Sequence, residues 1–418
     1  MTGASASGAA AALAPARVRL SALPPLSLYI HVPWCVRKCP YCDFNSHEAR
    51  GEIPQQAYVD ALVADLEQAL PLIWGRKVYS VFFGGGTPSM LAALSVDSIM
   101  AAVRARVPLA VDAEITLEAH PGTFEARKFA EFRAAGINRL SIGVQSFNPR
   151  HLQALGRIHD EREARAAIAI GTETFERVNV DLMYGLPGQT RAEAAEDIET
   201  ALAFAPGHIS AYHLTIEPNT YFARHPPELP DDDSSADMQE QAERLLAAGG
   251  YHHYETSAFA LPQRECRHNL NYWQFGDYLG IGAGAHSKLS FPDRIVRQMR
   301  YKQPKEFMAR ALAGAAVQQE NEVAVHDLGF EFMMNALRLI DGVAMDLFVE
   351  RTGLPLTEVL RDLALAEQKG LISRDHRRLV PTPLGQRFLN DLLQIFLHRK
   401  ADGGGSKPSA KPIDSSGR

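Results

Sequence analysis

From residue 26 onward, short apolar runs alternate with longer amphipathic stretches. SLYIHV (27–32) predicts a strand, and QAYVDALVADLEQAL (56–70), with apolar positions near a 3.6-residue period, predicts a helix. VYSVFF (78–83) predicts the next strand, followed by a helix over 95–106. AEITLEA (113–119), INRLSIGV (137–144) and RVNVDLMYG (177–185) predict three more strands, each separated from the next by a helical pattern. HISAYHLTI (208–216) predicts a sixth. Such alternation means βαβ units and a parallel sheet. Six of them predict an α/β fold, a partial (β/α)6 TIM-like barrel rather than the closed eightfold one.

After Pro218 the rhythm changes. A helix over 236–248 leads into HHYETSAFA (252–260), and YLGIGAGAHS (278–287) reads as a glycine-rich loop. Residues 322–400 read as mostly helical. Within them, KGLISRDHRRLVPTPLGQRFLNDLL (369–393) reads as helix, two short strands around a turn, then helix, similar to a small winged-helix unit serving as a packing or contact module. The chain is expected to divide into a disordered leader (1–25), the partial barrel (26–217), a barrel extension (218–321), a smaller, mostly helical, winged-helix-like C-terminal domain (322–400) and a flexible tail (401–418). A length of 418 residues exceeds what one hydrophobic core usually organises, in keeping with that division.

Composition narrows the function. Hydrophobic residues at 46% and charged ones at 22% are ordinary for a soluble globular protein. The formal net charge of -6 offers no basic face for nucleic acid and no polybasic membrane patch. The Ala- and Ser-rich start lacks a charged n-region and is broken by Pro15, Arg17, Arg19 and Pro24, so it reads as neither signal peptide nor membrane span. Of four cysteines, three sit together at Cys35, Cys39 and Cys42. Clustered thiols are not a disulfide framework, and they suggest metal binding in a cytoplasmic protein.

The C-x3-C-x2-C run directly follows the first predicted strand. Three thiolates on one tight loop can ligate three irons of a cubane cluster and leave the fourth open, which a substrate-activating cluster needs. The competing account is a structural zinc site with His31 or His47 as fourth ligand, although structural zinc prefers two separate C-x-x-C pairs. In parallel barrels function gathers at the C-terminal strand ends. There the second strand ends in Gly84-Gly85-Gly86-Thr87-Pro88, a bare backbone that a small ligand can approach, or simply a tight turn. Other strand ends carry Glu118, Gln145 and Asp181, and Arg157 follows on the next loop. A buried strand-end carboxylate is costly without a partner, so Glu118 and Asp181 are expected to face a polar ligand, a salt bridge or a cap.

These residues resemble the radical S-adenosylmethionine proteins, through both the cysteine loop and the GGGTP run. YIHVPWCVRKCPYCDFNSH (29–47), FFGGGTPS (82–89), RLSIGVQSF (139–147), LGRIH (155–159), DLMYGLPGQT (181–190) and HNLNYWQFGDYLGIGAGAHS (268–287) look like the HemW group, described as heme chaperones and related to oxygen-independent coproporphyrinogen III oxidase. The resemblance implies a [4Fe–4S] cluster on Cys35, Cys39 and Cys42, with S-adenosylmethionine on the open iron. It places Gly85, Gly86 and Thr87 near the methionyl amino group. It also places Tyr29, Tyr41, Glu118, Gln145, Arg157 and Asp181 around the nucleoside and any second adenosylmethionine.

Two features separate chaperone from oxidase. The oxidases carry a further cysteine two residues after the third, where this chain has Phe44 in Cys42-Asp43-Phe44. His268-Asn269-Leu270-Asn271-Tyr272-Trp273 matches the HNxxYW motif that the resemblance ties to heme: an imidazole for iron, Asn269 to orient it or a propionate, and Tyr272 and Trp273 as flat faces. Residue chemistry alone also admits a structural turn with a buried Trp and a satisfied His. Cys266 is a second candidate for heme iron, or a small buried hydrophobe. The pairs His252–His253 and His208/His213 fit ordinary strand and loop positions. The expectation is a heme chaperone that passes heme to a hemoprotein acceptor, with no nucleic acid and no stable membrane span involved. Its rivals are the oxidase and a zinc-stabilised interaction protein.

Overall fold

A computed structural model describes residues 17–122 and 127–397. The six expected strands form: β1 Leu26–Val32, β2 Val78–Gly85, β3 Leu109–Ala119, β4 Arg139–Gln145, β5 Arg177–Tyr184 and β6 His208–His213. They lie side by side in sequence order and all parallel. Helices such as Gln55–Ala69, Ala93–Arg106, Glu161–Thr174 and Arg191–Leu202 make the crossovers. Two of them begin with capping boxes legible in the sequence, Asp160 with Glu163 and Thr190 with Glu193. This is the open α/β barrel the alternation predicts.

One expectation needs correction. The stretch expected as a glycine-rich loop contains a seventh parallel strand, β7 (Asp277–Ile281), fully buried and paired with β1 on the side away from β2. Three antiparallel strands, His286–Phe291, Arg294–Arg300 and Val317–Glu322, extend that edge, while Ala258–Ala260 and His252–Glu255 extend the other. A Cβ on Gly280 would lie 2.0 Å from the His286 carbonyl oxygen. Glycine here marks a close approach of backbones inside a strand, not a turn. Buried ion pairs fasten this added edge: Asp65 with Arg300 at 3.2 Å, and Asp277 with both Arg76 at 2.8 Å and Lys288 at 3.0 Å.

The strands are buried on both faces, but the faces differ in chemistry. Leu28, Ile30, Val81, Leu117, Leu140, Ile142 and Val180 pack outward with helix residues such as Leu62, Ile99 and Ile168 in the main apolar core. The intervening positions are polar and buried, among them Ser27, Ser80, Thr116, Arg139, Ser141, Asn179, Asp181 and His208. Many are bonded across neighbouring strands, as burial requires. The barrel interior is therefore a hydrogen-bonded interior rather than an aliphatic one.

A second apolar core gathers Val18, Trp273, Phe275, Leu328, Phe332, Phe348, Leu363 and Leu379. Over it lie short helices and a three-stranded antiparallel sheet of Val343–Ala344, Arg378–Pro381 and Ile372–Arg374. Residues 17–25, expected within a disordered leader, are instead packed. Val18 is buried, and the Arg19 and Leu20 amides donate to the Gly353 and Pro292 carbonyls. The rest of the expected leader and the expected tail lie outside the described residues. Among the described residues, no helix is long and apolar enough to cross a membrane.

Candidate functional site

The thiol loop is an excursion between two backbone clamps. Trp34–Cys35 pairs in parallel with His47–Glu48, and the Ala49 amide donates to the Cys35 carbonyl at 2.9 Å. Within it Cys42 N donates to Cys39 O at 3.2 Å, and Lys38 folds back onto the carbonyls of Phe44 and Ser46. All three thiols are free and partly exposed. Burial pushes the Cys42 thiol up to about 11 and moves Cys35 upward too, so binding a soft metal here releases protons.

The GGGTP run lies directly against this loop. The Gly86 and Thr87 amides donate to Val32 and Trp34 carbonyls, both at 2.7 Å, carrying the parallel ladder past the end of β1. Gly85 has φ +114°, and a Cβ on it would lie 2.5 Å from the His31 ring. A Cβ on Gly86 would meet the Trp34 carbonyl oxygen at 2.5 Å. The bare backbone is thus needed for the approach of the two strand ends. His31, which burial pushes down to about 4, hydrogen-bonds Tyr29 Oη through Nδ1 (3.2 Å) and the Asn45 carbonyl through Nε2 (3.0 Å).

Around the same mouth, the Gly85 amide donates to Glu118 Oε2 at 3.2 Å. Arg157 joins the loop to the sheet, donating to Cys39 Sγ at 3.8 Å and to the Gly143 carbonyl at 2.5 Å. Gln145 ends β4 at φ +72° and accepts from Tyr212 Oη at 2.6 Å. Tyr41 packs in a small cluster with Leu155, Met183 and Phe222. Asp181 lies one register step deeper, taking bonds from Ser141 and Asn179 at 3.2 and 2.7 Å. Both strand-end carboxylates thus have protein partners. Three half-buried thiols beside bare backbone, a carboxylate and an arginine suit an iron–sulfur cluster with an adenosylmethionine on its open iron. Among the described residues, no group of three or more His, Cys, Asp or Glu converges as a single metal ion needs.

Sequence reasoning missed several residues here. His31, considered only as a zinc ligand, instead bridges Tyr29 and Asn45, and Tyr212 meets the named Gln145. A pair of imidazoles, His120 and His159, was missed as well; they lie 3.4 Å apart, and burial and then Arg157 keep them neutral at about 2 and 3. The bonds fix their tautomers. Gly122 N–H donates to His120 Nδ1, His120 Nε2–H to His159 Nδ1, and His159 Nε2–H to the Val144 carbonyl. For Tyr212 a signal existed, since it shares the inward period of two with His208 and Ser210.

The HNLNYW motif lies elsewhere. It forms the helix Arg267–Trp273, which closes the opposite, N-terminal end of the barrel. His268 is 9% exposed, with Nδ1 3.2 Å from Ser80 Oγ, near the start of β2, and its ring stacked on Phe82 at 4.9 Å. Burial and then Arg139 push it down to about 3, so the imidazole is neutral. Phe82 in turn stacks on Tyr29 at 6.2 Å, so a file of rings runs up the interior from His268 to His31. Asn269 accepts from Cys266 Sγ at 3.4 Å. Tyr272 stacks on Tyr278 at 4.9 Å, and Trp273 enters the second core beneath the Arg338 guanidinium. Cys266 is buried, donates to Glu114 as well, and burial pushes its thiol up to about 12. A thiol held protonated in this way is a poor iron ligand. His208 joins Asn179 to Tyr254 (2.6 and 2.8 Å), an ordinary structural use of the imidazole.

Comparison with known proteins agrees with this layout. The Radical SAM superfamily model matches residues 29–201, and the HemN C-terminal domain model matches 323–388. The chain is 48% identical to the heme chaperone HemW of Escherichia coli, covering 90% of this chain and 99% of that protein. It is 47% identical to the Haemophilus influenzae heme chaperone HemW over 90% and 98%. It is 34% identical to the mitochondrial radical S-adenosyl methionine domain-containing protein 1 of Bos taurus over 89% and 87%. Among solved structures, the coproporphyrinogen III oxidase HemN of E. coli, a radical SAM enzyme, superposes with a TM-score of 0.77 at 26% identity, covering 90% of each chain. The chain therefore belongs to the HemW family of heme chaperones within the radical SAM superfamily.

Proposed function

We propose that this protein binds heme through the HNLNYW helix and passes it to a hemoprotein acceptor, a respiratory one by preference, in the cytoplasm. In this reading Cys35, Cys39 and Cys42 hold a [4Fe–4S] cluster carrying an exchangeable S-adenosylmethionine. The observation that carries the heme assignment is a neutral imidazole, His268, on one short helix with the flat rings of Tyr272 and Trp273. A neutral nitrogen is what an axial iron ligand must offer.

At the other mouth each residue has a task set by its surroundings. Gly85, Gly86 and Thr87 leave room beside the thiol loop for the methionyl group. Glu118, already receiving the Gly85 amide, is placed to take its ammonium. Arg157 orients the loop through Cys39, and Tyr29, Tyr41, Gln145 and Asp181 line the depth in which the nucleoside sits. The cluster, when bound, supplies the single electron that reductive cleavage of adenosylmethionine requires. The division into barrel (26–217), extension (218–321) and winged-helix-like contact domain (322–400) belongs to the same proposal.

The rival is coproporphyrinogen III oxidation, favoured by the likeness to HemN and disfavoured by Phe44. Anaerobic reconstitution followed by heme titration, run beside a coproporphyrinogen oxidation assay, separates them. Stoichiometric heme retention without oxidation is the expected result. Porphyrinogen turnover without retained heme would reverse the assignment.

A further inference from the structure

Beside the thiol loop, the short strap from Arg157 to His159 is pinned at both ends to neighbouring residues of β4. Arg157 Nη2 donates to the Gly143 carbonyl at 2.5 Å, and His159 Nε2–H donates to the Val144 carbonyl at 3.1 Å. His120, just past the end of β3, braces the second pin. Its Nε2–H donates to His159 Nδ1 at 3.4 Å with the rings edge to face at 78°, and its Nδ1 accepts from the Gly122 amide at 3.1 Å. The His120 amide donates to Ser89 Oγ at 3.1 Å, so the brace reaches back to the residue that follows GGGTP.

What this strap carries is the Arg157 guanidinium. Its Nη1 lies 3.8 Å from Cys39 Sγ, and it forms no ion pair with a carboxylate among the described residues. Its Nε is buried and has no hydrogen-bond partner among them either. A cation drawn away from water with no anion beside it is costly. Thiolates holding a cluster would supply the missing negative charge. Both imidazoles of the brace are neutral, because burial and then the Arg157 charge disfavour their cationic forms. A neutral pair can therefore fix the strap without repelling the guanidinium it carries. The positive charge beside Cys39 is a single one, and hydrogen bonds set its place.

We propose that His120 and His159 are positioning residues that hold the Arg157 guanidinium against Cys39, and that this contact raises the reduction potential of a cluster on the thiol loop. The inference rests on the reading that Cys35, Cys39 and Cys42 hold such a cluster, and adds what in this chain sets its potential. Reduction adds one negative charge to the cluster. A cation and an N–H donor at a ligating sulfur stabilise that more negative state more than the oxidised one. The contact is long for a hydrogen bond to sulfur, so a small drift of the strap would forfeit it.

The test is an anaerobic redox titration with dithionite on the full chain, its cluster reconstituted and no adenosylmethionine added. Electron paramagnetic resonance of the reduced cluster reads the potential of whatever fraction is assembled, so partial loading does not obscure it. Arg157→Gln is expected to make reduction about tenfold harder, a fall of about 59 mV for one electron. His159→Ala should make it about threefold harder, or about 28 mV. His120→Asn keeps an acceptor for the Gly122 amide but falls short of His159, and should make reduction about twofold harder, or about 18 mV. His159→Gln, whose amide can accept from His120 and donate to Val144, should restore the wild-type value. In the Arg157→Gln background neither His159→Ala nor His120→Asn should shift the potential further, because both act through the guanidinium. A merely structural role would lower the melting temperature and leave the potential where it was. If iron and sulfide are present and His159→Ala leaves the potential unchanged, the inference is overturned while the cluster reading stands. An undiminished shift in the Arg157→Gln background overturns it too. If the wild type takes up no iron and sulfide, both readings fall together.

Discussion

The two ends of the barrel are built from the same strands and prepared in opposite ways. At the C-terminal mouth, half-exposed thiols sit beside glycine backbone, and non-standard φ values at Gly85 and Gln145 aim groups into a shared space. At the N-terminal mouth, Cys266, His268 and Trp273 are all buried. Cys266 and His268 bond to neighbouring polar groups, and Trp273 packs into the second core. The first end is open and already assembled. The second is a closed plug, which receives a large flat ligand only if the helix yields. In parallel barrels the C-terminal face is the usual seat of chemistry and the N-terminal face the usual seat of stability. In this chain, the HNLNYW motif, which we propose carries heme, occupies the stabilising face.

Substitutions that strike one end should spare the other. The largest effect is expected from Glu114→Ala at the plug. It leaves Arg177 without its buried carboxylate and should cost roughly 3–5 kcal/mol of stability, read by chemical denaturation. Next, Gly85→Ala drives a Cβ into the His31 ring at a φ reserved for glycine. It should cost about 2–3 kcal/mol and lower iron and sulfide content after reconstitution, while heme uptake by the folded fraction persists. His268→Ala should weaken heme retention about tenfold or more and alter the Soret band, with iron and sulfide unchanged. The smallest effect is expected from Tyr212→Phe, which removes the bond to Gln145. It should weaken adenosylmethionine binding by about 1 kcal/mol in calorimetric titration and leave heme untouched. A cluster lost in His268→Ala, or heme lost in Tyr212→Phe, would mean that the two ends act as one site.

Much of the cluster end was legible because it is local. Cys35, Cys39 and Cys42 lie within eight residues, GGGTP follows one strand, and the apolar runs of β1 to β6 carry the signal of strands buried on both faces. The seventh strand escaped because Gly280 and its neighbours read as a loop. Only the close approach of the His286 backbone explains a glycine there. Tyr212 and the His120–His159 pair escaped because their partners lie 67 and 39 residues away, and pattern does not encode such pairings. The HNLNYW motif was visible as residues, yet its place was not. Nothing in its spacing says that the helix closes the far end of the barrel and lends Trp273 to another core.

The most direct test of the two-ended account is a heme titration on the Cys35→Ala/Cys39→Ala/Cys42→Ala variant, followed at the Soret band and paired with iron and sulfide analysis. The account predicts that iron and sulfide vanish while heme binds with an affinity within about threefold of wild type, because the thiols and His268 occupy opposite mouths. Loss of heme binding together with the cluster would contradict it and place heme at the thiol loop.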